Sequence, residues 1–196
     1  MPMRATHYAG ARSAGKYAIS VRMSENNRQE NNRQENNGQA GARDDRRRVE
    51  DEAFMRQALA EAASGDLPFG AVIVSNGAIV ARGHNAGVRL NDPTAHGEMM
   101  ALGDFISRHP ADRLASATVY TTGEPCPMCM SALIWCGVER VVYAASITEL
   151  STRVGQIMTP SASLLAAASF SCMEITGGVL AGEALELFAS LNDAPK

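Results

Sequence analysis

The sequence predicts an α/β fold, a three-layer α/β/α sandwich around a central mixed sheet of about five strands. Two observations lead to this prediction. From residue 49 onward, β-rich runs alternate with helical segments, and this alternation requires a sheet with helices on both faces. The runs 71–75 and 78–85 are joined by Asn76-Gly77, the strongest short-range hairpin signal, so the first two strands are antiparallel.

Each element has a local signal. Apolar residues at helical spacing predict a helix over 49–64. A second helix opens near Pro93 and runs to Arg108, and a third starts at Pro127, a favoured first position, and ends before Gly137. The remaining predicted elements are strands 117–122, 140–145 and 173–179, a short helix 161–168 and a closing helix 182–191.

Residues 1–48 are predicted to be a disordered, low-complexity tail, and residues 49–196 one folded domain. The pentad NNRQE is written nearly three times over 26–40 and has no apolar side chain before Ala40, so it buries too little surface to fold. Residues 1–22 hold four basic and no acidic side chains, which resembles an organelle transit peptide. The other interpretation is that Met23 is the true initiator.

Composition narrows the function. Residues 1–50 hold 10 basic and 6 acidic side chains, whereas residues 51–196 hold 8 and 15, a net −7 that is unfavourable for binding a polyphosphate. No run approaches the roughly 18 apolar residues of a membrane span. Only four cysteines are present, too few for a disulfide-stapled secreted domain, so a reducing cytoplasm is expected.

Cys126 and Cys129 share one face at a helix start, where the helix dipole favours thiolates. His96, at the start of another predicted helix, offers a third ligand, and catalytic zinc takes three protein ligands plus water. Glu98, two residues further, diverges from His96 by about half a turn, so it can face a molecule bound beside the metal. A thioredoxin-like redox pair is the alternative for Cys-x-x-Cys.

The motif HGE at 96–98, followed by PCPMC at 125–129, resembles the H-x-E…P-C-x-x-C signature of the zinc-dependent cytidine and purine deaminases. The surrounding sequence, about residues 67–146, and the C-terminal segment GGVLAGEALELF are similar to the bacterial guanine deaminase and nucleoside deaminase branch of this family. One departure is Gly97, where the family usually writes alanine. The resemblance implies that the folded domain is a deaminase domain with a cytidine deaminase-like fold.

The resemblance also implies roles. One Zn²⁺ per chain, with a bound water or hydroxide, would be held by His96, Cys126 and Cys129. Glu98 would be the proton shuttle and Glu149 a second catalytic acid that reads the amino group. The implied substrate-binding residues are Asn85, Gly97, Glu124, Pro125 and, as apolar pocket wall, Phe69 and Trp135.

The expected reaction is hydrolytic deamination of a purine base or nucleoside, with guanine to xanthine and ammonia favoured. The alternatives are a tRNA adenosine deaminase, which the acidic domain disfavours, a cytosine or other nucleobase deaminase, and a zinc-stabilised binding module without activity. The expected partner is a small nucleobase or nucleoside, with nucleic acid less favoured and no membrane. A homodimer is implied by the resemblance alone.

Overall fold

The computed structural model describes residues 30–154, 159–168 and 170–189. The chain divides into two units, residues 1–40 and 41–196, and the sheet belongs to the second. The described helices are α1 Glu30–Ala62, α2 Gly97–Arg108, α3 Pro127–Trp135, α4 Ile147–Val154, α5 Ser161–Ala167 and α6 Ala181–Ala189, with a 3-10 helix at Ala111–Ser116. The described strands are β1 Gly70–Ser75, β2 Ala78–His84, β3 Ala117–Gly123, β4 Arg140–Ala145 and β5 Glu174–Thr176.

The strands form one mixed five-stranded sheet in the order β2-β1-β3-β4-β5. Strand β1 is antiparallel to both β2 and β3, whereas β3 and β4, and then β4 and β5, are parallel. Asn76 and Gly77 turn β1 into β2 with φ of 52° and 72°, the left-handed values of a two-residue type I′ turn. The predicted mixed sheet and its hairpin are confirmed.

The sheet has a core on each face, because successive residues of a strand point to opposite sides. The first core lies under α2 and α3 and includes Ile73, Phe105, Val119, Leu133 and Val141. The second core lies under α1 and α6 and includes Met55, Val72, Val142, Ala184 and Phe188. Helices therefore cover both faces, which confirms the predicted three-layer architecture.

The structure corrects the predicted start of the first helix. Helix α1 begins at Glu30, so residues 30–48 are helical rather than disordered. Residues 41–50 are exposed; Arg48 pairs with Asp45 one turn away at 3.9 Å, and Arg47 pairs with Glu174 of β5 at 2.5 Å. The apolar residues at helical spacing over 49–64 indicated only the part of α1 that packs on the sheet. Residues 1–29 lie outside the described residues, and the domain division after residue 48 stays a prediction.

The parallel pairing of β3 and β4 creates the edge where the signature residues lie. Gly123 and Ala145, the last residues of the two strands, pair at the carboxyl edge of the sheet. The EPCPMC segment begins directly after Gly123, so it stands at this edge. Among the described helices, none combines the length and apolar character that crossing a bilayer requires.

Candidate active site

Two helix starts supply the candidate metal ligands. His96 and Cys126 directly precede α2 and α3, and both have extended backbone, with ψ of 157° and 165°. Cys129 lies in the first turn of α3. In the described structure neither helix has a side-chain hydrogen-bond cap, so the first-turn N–H groups keep their partial positive charge beside the sulfurs.

The three ligand atoms form a triangle. Nδ1 of His96 and the Sγ atoms of Cys126 and Cys129 are separated by 3.6 Å along every side. A tetrahedral zinc, with Zn–S near 2.3 Å and Zn–N of about 2.0–2.1 Å, requires sides of about 3.6–3.8 Å. The cysteines are free thiols, and a nitrogen donor equidistant from both sulfurs favours zinc over a redox pair. The residues therefore fit one zinc ion.

The hydrogen bond between the two sulfurs moves their pKa values apart. It lowers the pKa of Cys126 to about 4, with help from His96. The same bond and burial raise the pKa of Cys129, and the bond to Cys126 raises the pKa of His96. In the metal-free state the group therefore holds one thiolate, and zinc must displace protons from its ligands to bind.

Glu98 is a buried carboxyl beside the triangle. Its residue is 3% exposed. Burial raises the pKa of the carboxyl; hydrogen bonds from its own backbone and from Cys129 act in the opposite direction. Among the described residues, the group of side chains close enough to share a metal comprises His96, Cys126 and Cys129, without Glu98. Glu98 therefore lies outside the ligand group, and its role towards a bound molecule stays a prediction.

Asn85, Phe69 and Gly97 lie together at the start of α2. Asn85 is 5% exposed, and its N–H donates to the Phe69 carbonyl at 2.8 Å. Its side-chain Oδ1 accepts the Gly87 N–H at 3.3 Å. A Cβ on Gly97 would stand 2.8 Å from the Phe69 carbonyl oxygen, closer than real Cβ atoms approach backbone. The departure from the usual alanine therefore has a steric reason in this chain.

Glu124 was predicted to line the substrate pocket, and its side chain contacts backbone groups of the protein. Both carboxylate oxygens accept backbone N–H groups, Oε2 from Ile147 at 2.8 Å and Oε1 from Ser161 at 2.7 Å. The Pro125 carbonyl accepts the Ser161 hydroxyl at 3.1 Å. Both oxygens therefore have partners within the protein that local sequence could not indicate, and the substrate-binding role of Glu124 stays a prediction.

Glu149 lies in the first turn of helix α4, a helix that the sequence analysis did not predict. Its Oε2 accepts both the N–H and the hydroxyl of Ser146, at 2.8 and 2.7 Å, and its own N–H donates to Ser146 Oγ at 3.2 Å. This reciprocal pair is a capping box, and its sequence pattern, Ser-x-x-Glu, could have revealed the helix. The catalytic role of Glu149 stays a prediction.

The two aromatic side chains predicted as a pocket wall lie apart. Trp135 is 82% exposed, at the end of α3 that is remote from Cys126, and meets Phe170 edge to face at 6.1 Å. A nine-residue helix is about 13 Å long, so the structure does not bring this indole to the ligands, and the prediction for Trp135 is wrong. The Phe69 ring packs against Phe188 at 4.8 Å.

This fold and this site define a zinc-binding α/β enzyme of the deaminase class. A family model confirms the class: the cytidine and deoxycytidylate deaminase zinc-binding region matches residues 48–145. The chain belongs to this family. The fold, the zinc requirement and the class of zinc-dependent aminohydrolase that the sequence predicted are therefore confirmed at the level of the family.

Curated relatives point to two substrates. Guanine deaminase of Bacillus subtilis is 42% identical over 106 residues, which span 52% of this chain and 68% of the relative. The tRNA-specific adenosine deaminase of the same species is 41% identical over 101 residues, 50% of this chain and 63% of the relative. A chloroplastic tRNA(adenine(34)) deaminase of Arabidopsis thaliana is 37% identical over 69% of this chain, which spans only 11% of its length.

A solved structure supports the same family. The chain is similar to a protein crystallised in complex with 2,6-diaminopurine, at 26% identity and a TM-score of 0.61. The match covers 74% of this chain and 83% of that one. A structural neighbour of this fold thus binds a purine.

Proposed function

We propose that this protein hydrolyses the exocyclic amine of a free purine base or nucleoside, with guanine first, and releases ammonia. The observation that supports this most is the buried Glu98 carboxyl beside a three-ligand triangle of 3.6 Å sides. Three protein ligands are the number that catalytic zinc takes, whereas a purely structural zinc takes four. The described residues offer three, which disfavours a zinc-stabilised binding module.

His96, Cys126 and Cys129 would hold the metal. Bound there, zinc would supply a water that is acidic enough to be a nucleophile near neutral pH. The starts of α2 and α3 hold the three ligand atoms at the spacing that zinc requires before the metal binds.

Glu98 would move protons. It takes a proton from the attacking water and delivers it to a ring nitrogen of the amidine, and a second transfer gives the exocyclic nitrogen the proton with which it leaves as ammonia. One water is consumed and one ammonia released for each carbonyl formed. Burial raises the pKa of Glu98, which favours a carboxyl that can both accept and return a proton.

Asn85 and the N–H of Gly97 would orient the base. Asn85 is buried at the end of β2, and the Phe69 carbonyl that binds its N–H also lies against Gly97. The loop after Asn85 is fixed by Arg89, whose N–H and Nε donate to Asp66 at 2.9 and 2.7 Å. In this proposal Glu149 is the second acid, which reads the amino group of the base. Its capping contacts with Ser146 hold its side chain in position.

Charge supports a free base over a tRNA. Residues 51–196 carry a net −7, and the only basic residue after Arg153 is Lys196. Helix α6 has no basic residue in its last turn. The alternative is a tRNA adenosine deaminase. It is supported by the tRNA deaminases to which this chain is similar and by the exposed arginines of α1, among them Arg43, Arg46 and Arg48.

The test is ammonia release from guanine, adenosine, cytosine and an anticodon stem-loop with a wobble adenosine. The full chain is purified with zinc, and Glu98→Gln serves as the control for contaminating deaminases. We expect release from guanine. Release from the stem-loop alone would replace guanine with tRNA, release from cytosine alone would point to a nucleobase deaminase of another kind, and no release from any substrate would favour the binding module. The homodimer and the cytoplasmic location stay predictions.

A further inference from the structure

Glu124 connects two helices to the segment that carries the zinc ligands. Its side chain is buried, 8% exposed, and its two oxygens accept the N–H groups of Ile147 and Ser161 at 2.8 and 2.7 Å. These are the first residues of α4 and α5. The N–H groups of a first turn have no partner inside their helix, so a single carboxylate satisfies one at each start.

Further bonds surround this contact. The N–H of Glu124 donates to the Ala145 carbonyl at the end of β4, at 2.7 Å. Ser161, which is 0% exposed, donates its hydroxyl to the Pro125 carbonyl at 3.1 Å. The residues on the amino-terminal side of Cys126 are therefore attached to β4, α4 and α5 at once.

Helix α4 also packs against the residue that precedes Glu124. A Cβ built on Gly123 would meet Leu150 Cδ1 of α4 and Cε1 of Phe69, both at 2.9 Å. Glu149, the acid proposed to read the amino group of the substrate, lies on this same helix, so a shift of α4 would weaken substrate binding. The position of α4 relative to Cys126 thus depends on a close backbone approach and on the Glu124 carboxylate.

We propose that Glu124 is a positioning residue: it fixes α4 and the start of α5 beside the Cys126 turn, and so sets substrate affinity without touching zinc or substrate. The inference rests on the proposed function, because it assigns a role in that same site to the attachment of α4 and α5 beside Cys126. A charge-assisted hydrogen bond of this kind is stronger than a neutral one, and a carboxylate can accept at both oxygens whereas a glutamine amide cannot.

The test is Glu124→Gln in the full zinc-loaded chain. Its amide NH2 would face an N–H group, so one helix start loses its acceptor. We expect KM to rise about 10- to 100-fold, the scale of one hydrogen bond to a charged group, with kcat within about threefold and one zinc per chain retained. Hydrogen exchange of the amides in 147–151 and 161–167 should become faster, which needs no substrate and tests the clamp even if no deaminase activity is found.

Two variants complete the design. Glu139→Gln makes the same chemical change at an exposed position and should leave KM, zinc content and exchange rates unchanged. Ser161→Ala removes only the bond to Pro125 and should change KM and exchange in the same direction by a smaller factor; it replaces Glu124→Gln if that variant does not fold. An unchanged KM with unchanged exchange would overturn the proposal. So would loss of zinc, or a fall in kcat at constant KM, because Glu124 would then support the ligands or the chemistry.

Discussion

Two polar clusters, one buried and one half-buried, stand at opposite ends of the parallel pair β3–β4, and they are built differently. At the amino end of β4, Arg140 donates to both oxygens of Asp51 at 2.6 and 2.7 Å and to Thr176 at 2.9 Å, and Tyr120 donates to Asp51 at 2.9 Å. At the carboxyl end, His96, Cys126 and Cys129 contact one another only at 3.6 Å.

The comparison separates a structural cluster from a functional one. In the Asp51–Arg140 cluster, the charges of Asp51 and Arg140 compensate each other at full hydrogen-bond distance, as buried charges require. The zinc-ligand cluster has three donor atoms at the spacing of an ion that the chain does not itself supply. The first cluster holds α1 on the sheet, and the second has a shape that only a metal completes.

The largest effect is expected from Cys129→Ser. A hydroxyl is a poor zinc ligand beside a thiolate, so two ligands remain and the metal is lost. We expect zinc per chain to fall to near zero and deaminase activity to drop by more than about 1,000-fold, measured by elemental analysis and ammonia release. Cys136→Ser is the matched control, since Cys136 lies outside the ligand group and should leave both quantities unchanged.

The next effect tests the other cluster. Asp51→Asn removes the buried carboxylate that accepts two hydrogen bonds from Arg140 and leaves this guanidinium only the half-exposed Glu174 carboxylate at 3.3 Å. Breaking a buried pair costs about 3–5 kcal/mol of unfolding free energy, and we expect a loss at the lower end of that range. Zinc content and kcat of the folded fraction should stay as in the parent chain, which urea unfolding and ammonia assays would show. The exposed Asp112→Asn is the control. Loss of zinc at unchanged stability would mean that the two clusters are not independent.

Glu98→Gln should separate metal binding from chemistry. The amide cannot carry a proton between water and substrate, so kcat should fall at least about 100-fold, the scale of general acid–base catalysis, while one zinc per chain is retained. Elemental analysis and initial rates on one preparation measure both quantities. Near-normal turnover in this variant would show that another group moves the proton.

The last prediction concerns the pH dependence of zinc affinity. At neutral pH Cys126, with a pKa of about 4, is already a thiolate, whereas the pKa values of Cys129 and His96 are raised. Zinc must therefore displace one or two protons, and its Kd should fall about 10- to 100-fold for each unit of pH increase between about pH 6 and 8. Competition with a chelator measures this slope. A Kd that is independent of pH would show that the ligands are already deprotonated.

Local chemistry made the ligands and the hairpin predictable from sequence. Cys126 and Cys129 share a helix start that Pro127 marks, and Asn76-Gly77 requires its turn, so each prediction needed only neighbouring residues. Helix α4 could also have been predicted, because Ser146 and Glu149 form a capping box within four residues of sequence.

What could not be predicted depends on distant contacts. The partners of Glu124 are 23 and 37 residues away, so its sequence position beside Pro125 suggested a pocket residue and gave no sign of a helix clamp. Trp135 ends an apolar helix, which favoured burial or substrate contact, yet its 82% exposure depends on how α3 packs on the sheet. The steric need for Gly97 likewise comes from Phe69, 28 positions earlier in the sequence.

The zinc site is the claim on which the others depend, and its direct measurement is zinc content combined with X-ray absorption at the zinc edge, on the full chain purified without added metal. We predict one zinc per chain, with two sulfur neighbours at about 2.3 Å and one imidazole nitrogen at about 2.0–2.1 Å. A chain without zinc, or a spectrum with three or four sulfur neighbours, would contradict the account.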